Sequence, residues 1–239
     1  MPNSRRAASR ILAASIIGLA LAVPVAPVAR AQTVSETVCD RLAQPPRQTM
    51  GKLPALSEGV TYGSLRAAAA RKACDQAMTE QPGEVRFTVY AARAADKAGD
   101  SREAVRLYRL AADKGNALAQ NNLGAMYEAG EGTLPRNERE AQRLYQLAAD
   151  QGLPGAQSNL GAMYASGHGV KRDEREAVRL WMMAAESEDA QAQNNLGKMY
   201  AEGRGGLRRD SNEAARMWRL AAAQGNVEAT NNLRRMGVH

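Results

Sequence analysis

Asn122-Leu123-Gly124-Ala125-Met126-Tyr127 returns 37 residues later as Asn159-Leu160-Gly161-Ala162-Met163-Tyr164, and after a further 36 as Asn195-Leu196-Gly197-Lys198-Met199-Tyr200. A truncated fourth copy, Asn231-Asn232-Leu233, stands in the same phase. A second block keeps the period. Glu103-Ala104-Val105-Arg106-Leu107-Tyr108 is matched by Glu140-Ala141-Gln142-Arg143-Leu144-Tyr145, by Glu176-Ala177-Val178-Arg179-Leu180-Trp181 and by Glu213-Ala214-Ala215-Arg216-Met217-Trp218. Self-similarity at this period marks a supersecondary unit that buries its apolar face only by stacking on copies of itself.

Each block reads as a helix. Leu123, Met126 and Tyr127 fall at i, i+3 and i+4, and Ala141, Leu144, Tyr145 and Ala148 form a similar apolar stripe. Asp100, Asn137, Asp173 and Asp210 each precede a Glu by three residues, which predicts a capping box at the start of every second helix. Paired glycines (Gly130 and Gly132, Gly167 and Gly169, Gly203 and Gly205) are expected to end the first helix and shape the loop, and Gly115, Gly152 and Gly225 to stop the second. At the third boundary Glu188-Asp189 replaces the glycine, which predicts a less sharp stop costing about 1 kcal/mol. The glycine of each Leu-Gly pair is expected to let two helices approach closely, and an added side chain to overpack the contact.

Composition agrees with helix on helix. Phe87 is the single phenylalanine, and small helices stack on Ala, Leu, Gly and a few Tyr or Trp. The net charge of +7 is concentrated at the start, because residues 1–31 carry Arg5, Arg6, Arg10 and Arg30 and no acid. Beyond them 28 basic and 25 acidic residues remain, a mixed surface and not a phosphate-binding stripe, so a nucleic-acid partner is not expected. Those first residues read as an export signal: a positive start, an apolar run from Ile11 to Val28, and Ala29-Arg30-Ala31 as a small-x-small cleavage site that leaves Gln32 first. The expected compartment is the bacterial periplasm, with secretion as the alternative, and membrane attachment only through an uncleaved signal. Cys39 and Cys74, an even count in an oxidising space, are expected to form one disulfide. With only His168 and His239 beside them they make a poor metal set, so no metal or cofactor is expected.

The paired helices, Asn-Leu-Gly-x-Met-Tyr, the Gly-x-Gly loop and Glu-Ala-x-x-Leu-Tyr/Trp resemble the Sel-1-like repeat (SLR) family, a relative of the tetratricopeptide repeat. The resemblance covers residues 117–153, 154–189 and 190–226 as three units and 227–239 as a half unit. Residues 84–116 resemble a shorter, tetratricopeptide-like pair, and residues 32–83 read as an N-terminal helical cap, with helices over Val34–Ala43 and Tyr62–Met78. The resemblance implies an all-α, right-handed solenoid of antiparallel helix pairs whose first helices line the concave face. It also implies an adaptor or regulatory role in the envelope.

No Ser, Cys or Asp stands in a nucleophile motif, and His168 sits in a glycine-rich loop without a second ligand, so no catalytic residue is assigned. The Tyr and Trp series is read as inter-helix core, and Asn122, Asn159, Asn195 and Asn232 as structural amides. Asn121, Ser158, Asn194 and Asn231 share one position beside the apolar stripe, and Lys198 and Arg235 follow the last two by one turn. In the family geometry this stripe faces the groove. The expected function is therefore a periplasmic scaffold or adaptor that holds a peptide or protein, an envelope sensor or assembly component with an acidic end, through Asn121, Ser158, Asn194, Lys198, Asn231 and Arg235. The alternative is a cell-wall or β-lactam-directed hydrolase.

Overall fold

The structure, a computed structural model, describes Cys39 and residues 62–237, with side chains for Cys39 and from residue 67 onward. Among these residues there are ten helices and no strand. They are α1 (Tyr62–Glu80), α2 (Val85–Lys97), α3 (Ser101–Asp113), α4 (Ala117–Ala129), α5 (Glu138–Asp150), α6 (Pro154–Ser166), α7 (Glu174–Glu186), α8 (Ala190–Glu202), α9 (Ser211–Ala223) and α10 (Val227–Arg235). Each packs on its neighbours in the chain, which makes an all-α solenoid. The first helices of successive units are α2, α4, α6, α8 and α10; the second helices are α3, α5, α7 and α9. The expected signal, residues 1–31, and most of the helix expected over Val34–Ala43 lie outside the described residues. Cys39 is helical and fully buried, and its sulfur stands 2.06 Å from that of Cys74 on α1.

The second helices start where the Asp and Asn caps predict. The side chains of Asp100, Asn137, Asp173 and Asp210 accept from the backbone N–H of Glu103, Glu140, Glu176 and Glu213 at 3.0–3.2 Å. The returning half of the expected capping box is absent from all four, and the Asp100 N–H donates to the Ala95 carbonyl at 2.9 Å. The backbone N–H groups of Asn137, Asp173 and Asp210 donate instead to the carbonyls of Tyr127, Tyr164 and Tyr200 on the preceding first helix, at 2.8–2.9 Å. This substitution frees the Glu side chains, and each turns to the Arg three residues on.

At the third boundary the stop is as sharp as at the others. Glu188 adopts φ 60, the only non-glycine residue with positive φ among those described, where Gly115, Gly152 and Gly225 have φ 81, 81 and 85. The turn is kept, and the conformational strain falls on a residue with a Cβ.

The core confirms why Gly follows Leu in the repeated hexapeptide. Ala141, Ala148, Ala177, Ala184, Ala214 and Ala221 are fully buried, so first and second helices approach on small side chains. Opposite each Leu-Gly stands the aromatic of the paired helix. A Cβ on Gly161 would lie 2.7 Å from Trp181 Nε1, and one on Gly197 would lie 2.4 Å from Trp218 Nε1. Those indole N–H groups donate to the carbonyls of Ser158 and Asn194 at 3.0 and 3.1 Å. The second loop glycine locks consecutive units together. At Gly132, Gly169 and Gly205 a Cβ would stand 2.6–2.7 Å from the carbonyl oxygens of Ser101, Glu138 and Glu174, the first residues of the preceding unit's second helix.

Candidate interaction surface

The six residues expected to hold a partner do not form one exposed stripe. Ser158 and Asn194 are buried, at 3% and 0% exposure. Asn194 donates to Glu228 at 2.8 Å and accepts from Asn232 at 3.2 Å; Asn121 accepts from Asn159 at 3.0 Å. These bonds run from one first helix to the next, so the amides tie the first helices to each other. Asn121 and Asn194, expected to hold a partner, thus bond to the next first helix. The Ser158 hydroxyl, standing where Asn would continue this ladder, has no hydrogen-bond partner among the described residues. Lys198 is half-buried and ion-paired with Glu228 at 2.7 Å, and so does not stand ready for an acidic segment. Asn231 and Arg235 are exposed.

The second-helix side is built differently. Between α3 and α5 lies a groove of about 410 Å³, and between α7 and α9 one of about 330 Å³. Every residue lining the second groove has its counterpart 73 positions earlier in the first, so the groove is a property of the repeat. Its floor comes from the first helix between the two walls: Gln120, Leu123 and Tyr127 in one, Gln193, Leu196 and Tyr200 in the other. Tyr127, Tyr164 and Tyr200 are half-buried, unlike Tyr145, Trp181 and Trp218, which are fully core.

Along the grooves runs an apolar row, of which Leu147 lines the first groove and Leu220 the second. Leu110, Leu147, Met183 and Leu220 occupy one position in the four second helices and are 41%, 39%, 39% and 42% exposed. Next to it runs a row of ion pairs, Glu103–Arg106, Glu140–Arg143, Glu176–Arg179 and Glu213–Arg216. The arginines hold the Glu103 and Glu140 carboxyls below the usual range, through hydrogen bonds first and charge second. Sequence reasoning missed the apolar row although a signal was present. In α3 the buried residues Ala104, Val105, Leu107, Tyr108, Ala111 and Ala112 define one arc, and Leu110 falls outside it at 100° per residue. An aliphatic residue stands at this partly exposed position in all four copies.

The described residues offer little reactive chemistry. Burial pushes the Tyr108 and Tyr145 phenols up, out of titrating range, and the Tyr145 hydroxyl donates to Glu128 at 2.8 Å. No group of three or more His, Cys, Asp or Glu among them is placed to hold a metal, and no helix among them is long and apolar enough to cross a membrane.

Comparison with known proteins agrees with this geometry. A family profile described as Sel1 repeat matches residues 92–116, 117–153, 154–189 and 190–226, an unbroken run over more than half of the chain. The first match falls on the pair α2–α3, where a shorter, tetratricopeptide-like unit was expected. Among solved structures, a protective antigen present in uropathogenic Escherichia coli strains, displaying an SLR fold, aligns at 35% identity and a TM-score of 0.61 over 70% of this chain and 36% of that one. The chain thus spans about a third of that protein's length. A Sel1 repeat protein from Oxalobacter formigenes aligns at 30% identity and a TM-score of 0.56, over 70% of this chain and 72% of that one. No curated protein matches. Sel1 repeats typically mediate protein–protein interaction, and such scaffolds are generally non-catalytic. The chain belongs to the Sel1 repeat family.

Proposed function

We propose that this protein is an exported interaction module of the bacterial envelope. It acts in the periplasm as a scaffold or regulatory adaptor and binds a protein partner along the face of its second helices. The observation that carries the reading is the row Leu110, Leu147, Met183 and Leu220. Single exposed aliphatics are ordinary, but four in one row beside repeated grooves mark a contact surface. The amide ladder occupies Asn121 and Asn194 internally, which favours the second-helix face as the binding surface. The apolar run and Ala29-Arg30-Ala31 of the sequence support export.

The test replaces Leu147, Met183 and Leu220 together by Ser. Crosslinking in the periplasm, followed by capture of parent and variant, compares the partner retained. The variant is expected to keep its helicity and bind more than about tenfold more weakly, since truncated apolar anchors at interface centres cost about 1–2 kcal/mol each. Undiminished capture of the same partner would refute the assignment of this face.

A further inference from the structure

We propose that the groove between α7 and α9 seats an arginine side chain, flanked by apolar residues, of the protein partner. This rests on the second-helix face being the binding surface.

Along the solenoid the grooves differ in what the preceding helix sends across them. Between α1 and α3 the gap is bridged by Arg71 of α1, which donates to Glu103 at 3.0 Å and stands 3.8 Å from Asp100. Glu103 also holds its own Arg106, at 2.7 and 2.8 Å. The carboxylate of one Glu-x-x-Arg pair therefore binds two guanidinium groups at once. In the next groove Arg109 of α3 donates to the Tyr127 hydroxyl on the floor at 3.2 Å, and its charge adds to that of Arg143 in lowering the Glu140 carboxyl. At the position of Arg109 the following second helices carry Gln146 and then Met182. Among the described residues no cation crosses to Glu176 or Glu213.

The α7–α9 groove is the fully vacated form of this arrangement. Its charged lining is Glu186, Glu213 and Arg216, and Arg216 is already bound by Glu213 at 2.9–3.0 Å, so the balance is acidic. Its apolar lining is Met182, Leu196, Met217 and Leu220. A long aliphatic stem ending in a cation suits such a surface: the methylenes cover the apolar wall while the head meets carboxylate. Glu103 shows that this carboxylate accepts an N–H from a second guanidinium while holding its own arginine, a donor that a carboxylate-bearing ligand lacks. The expectation for the partner's charge is thereby reversed from the acidic segment that Lys198 and Arg235 suggest in the sequence.

The test uses the full chain isotope-labelled at its methionine methyls, so that Met182 and Met217 report on this groove. The probes are the blocked peptides Leu-Arg-Leu-Arg-Leu and Leu-Glu-Leu-Glu-Leu. The basic peptide is expected to shift both methyl signals saturably, and the acidic one to leave them in place. Glu186→Gln with Glu213→Gln should weaken binding of the basic peptide about tenfold. Glu186→Gln alone, at a residue with no ion pair among those described, should weaken it by about threefold without disturbing the fold. No shift, equal shifts from both peptides, or indifference to both variants overturns the assignment. Partner loss in the apolar-row variant alongside equal peptide shifts overturns the charge assignment alone. Partner retention in that variant overturns the surface reading and this inference with it.

Discussion

Replacing Gly197 by Ala tests whether the helix–aromatic contact sets the spacing of the repeat. The added Cβ would lie 2.4 Å from Trp218 Nε1 and 2.6 Å from Cδ1. Ordinary contact needs about 3.5–4.0 Å, so the indole must retreat by about 1 Å or more. Trp218 is 5% exposed, and its N–H donates to the Asn194 carbonyl at 3.1 Å, so retreat breaks that bond inside the core. Overpacking costs about 1–3 kcal/mol, an orphaned buried donor about 1–3, and Ala returns about 1 through helix propensity. The net expectation is about 1–5 kcal/mol of destabilisation. Denaturant unfolding followed by tryptophan fluorescence measures it, and Trp181→Phe leaves Trp218 as the sole emitter of the two tryptophans. The series supplies its own controls. Gly161→Ala meets Trp181 at 2.7 Å and should cost less; Gly124→Ala meets two Tyr145 ring carbons at 3.0 Å and should cost least. Gly155→Ala meets nothing within 4 Å and should be neutral or stabilising by up to about 1 kcal/mol. A Gly197→Ala protein as stable as its parent, or a reversed order, refutes the reasoning.

Four further outcomes are expected. Glu188→Gly should raise the unfolding midpoint by relieving a positive φ, worth about 1 kcal/mol; an unchanged or lower midpoint in denaturant would show that the turn carries no strain. Ser158→Ala should be neutral or stabilising by up to about 1 kcal/mol, because its buried hydroxyl has no partner among the described residues; a clear loss in the same assay would reveal one. Hydrogen bonds from Arg204 and then Arg172 pull the Glu174 carboxyl down to about 2 from an ordinary 4.5, so its contribution is present above pH 4.5 and fades as pH falls toward 2. Glu174→Gln should therefore melt below the parent at neutral pH, and the two melting curves should converge near pH 2. Reducing the Cys39–Cys74 bond, which closes a loop with a separation of 35 residues, should cost about 3–4 kcal/mol, read as a lower melting temperature in dithiothreitol.

The repeat was legible because stacking needs the same contacts in every copy. Gly161 and Gly197 recur to admit Trp181 and Trp218, and Gly169 and Gly205 recur to dock on Glu138 and Glu174. The binding stripe was not legible, because phase on one helix does not say what covers the side chain. Asn194 lies beside the apolar stripe of α8 and would face outward on an isolated pair, yet Glu228 and Asn232 of α10 close over it. That burial comes from the next unit, and no single-helix pattern contains it. The capping box failed in part for a related reason: Tyr127, Tyr164 and Tyr200 carbonyls reach the cap N–H groups across the loop, a contact the local motif does not include.

What the repeats hold constant and what they vary then separates folding from recognition on one physical ground. Positions that touch the neighbouring unit are fixed by packing, since a changed volume propagates into the stack. Positions that face a groove are free of that constraint, and the residue facing across is Arg109, then Gln146, then Met182. The wall opposite stays nearly constant, with a Glu-x-x-Arg pair and an aliphatic residue in every copy. Across the three gaps that a described second helix closes, the facing residue is cationic at α3, neutral at α5 and apolar at α7, which gives those gaps an order; the same position on α9, which no described second helix follows, is Arg219. An extended partner lying along the second helices meets a different charge at each step. Reversing it would bring a cation meant for Glu213 against Arg109, and like charges in contact disfavour a register strongly even where attractive pairs add little affinity. The apolar row supplies contact area, and the gradient beside it supplies orientation.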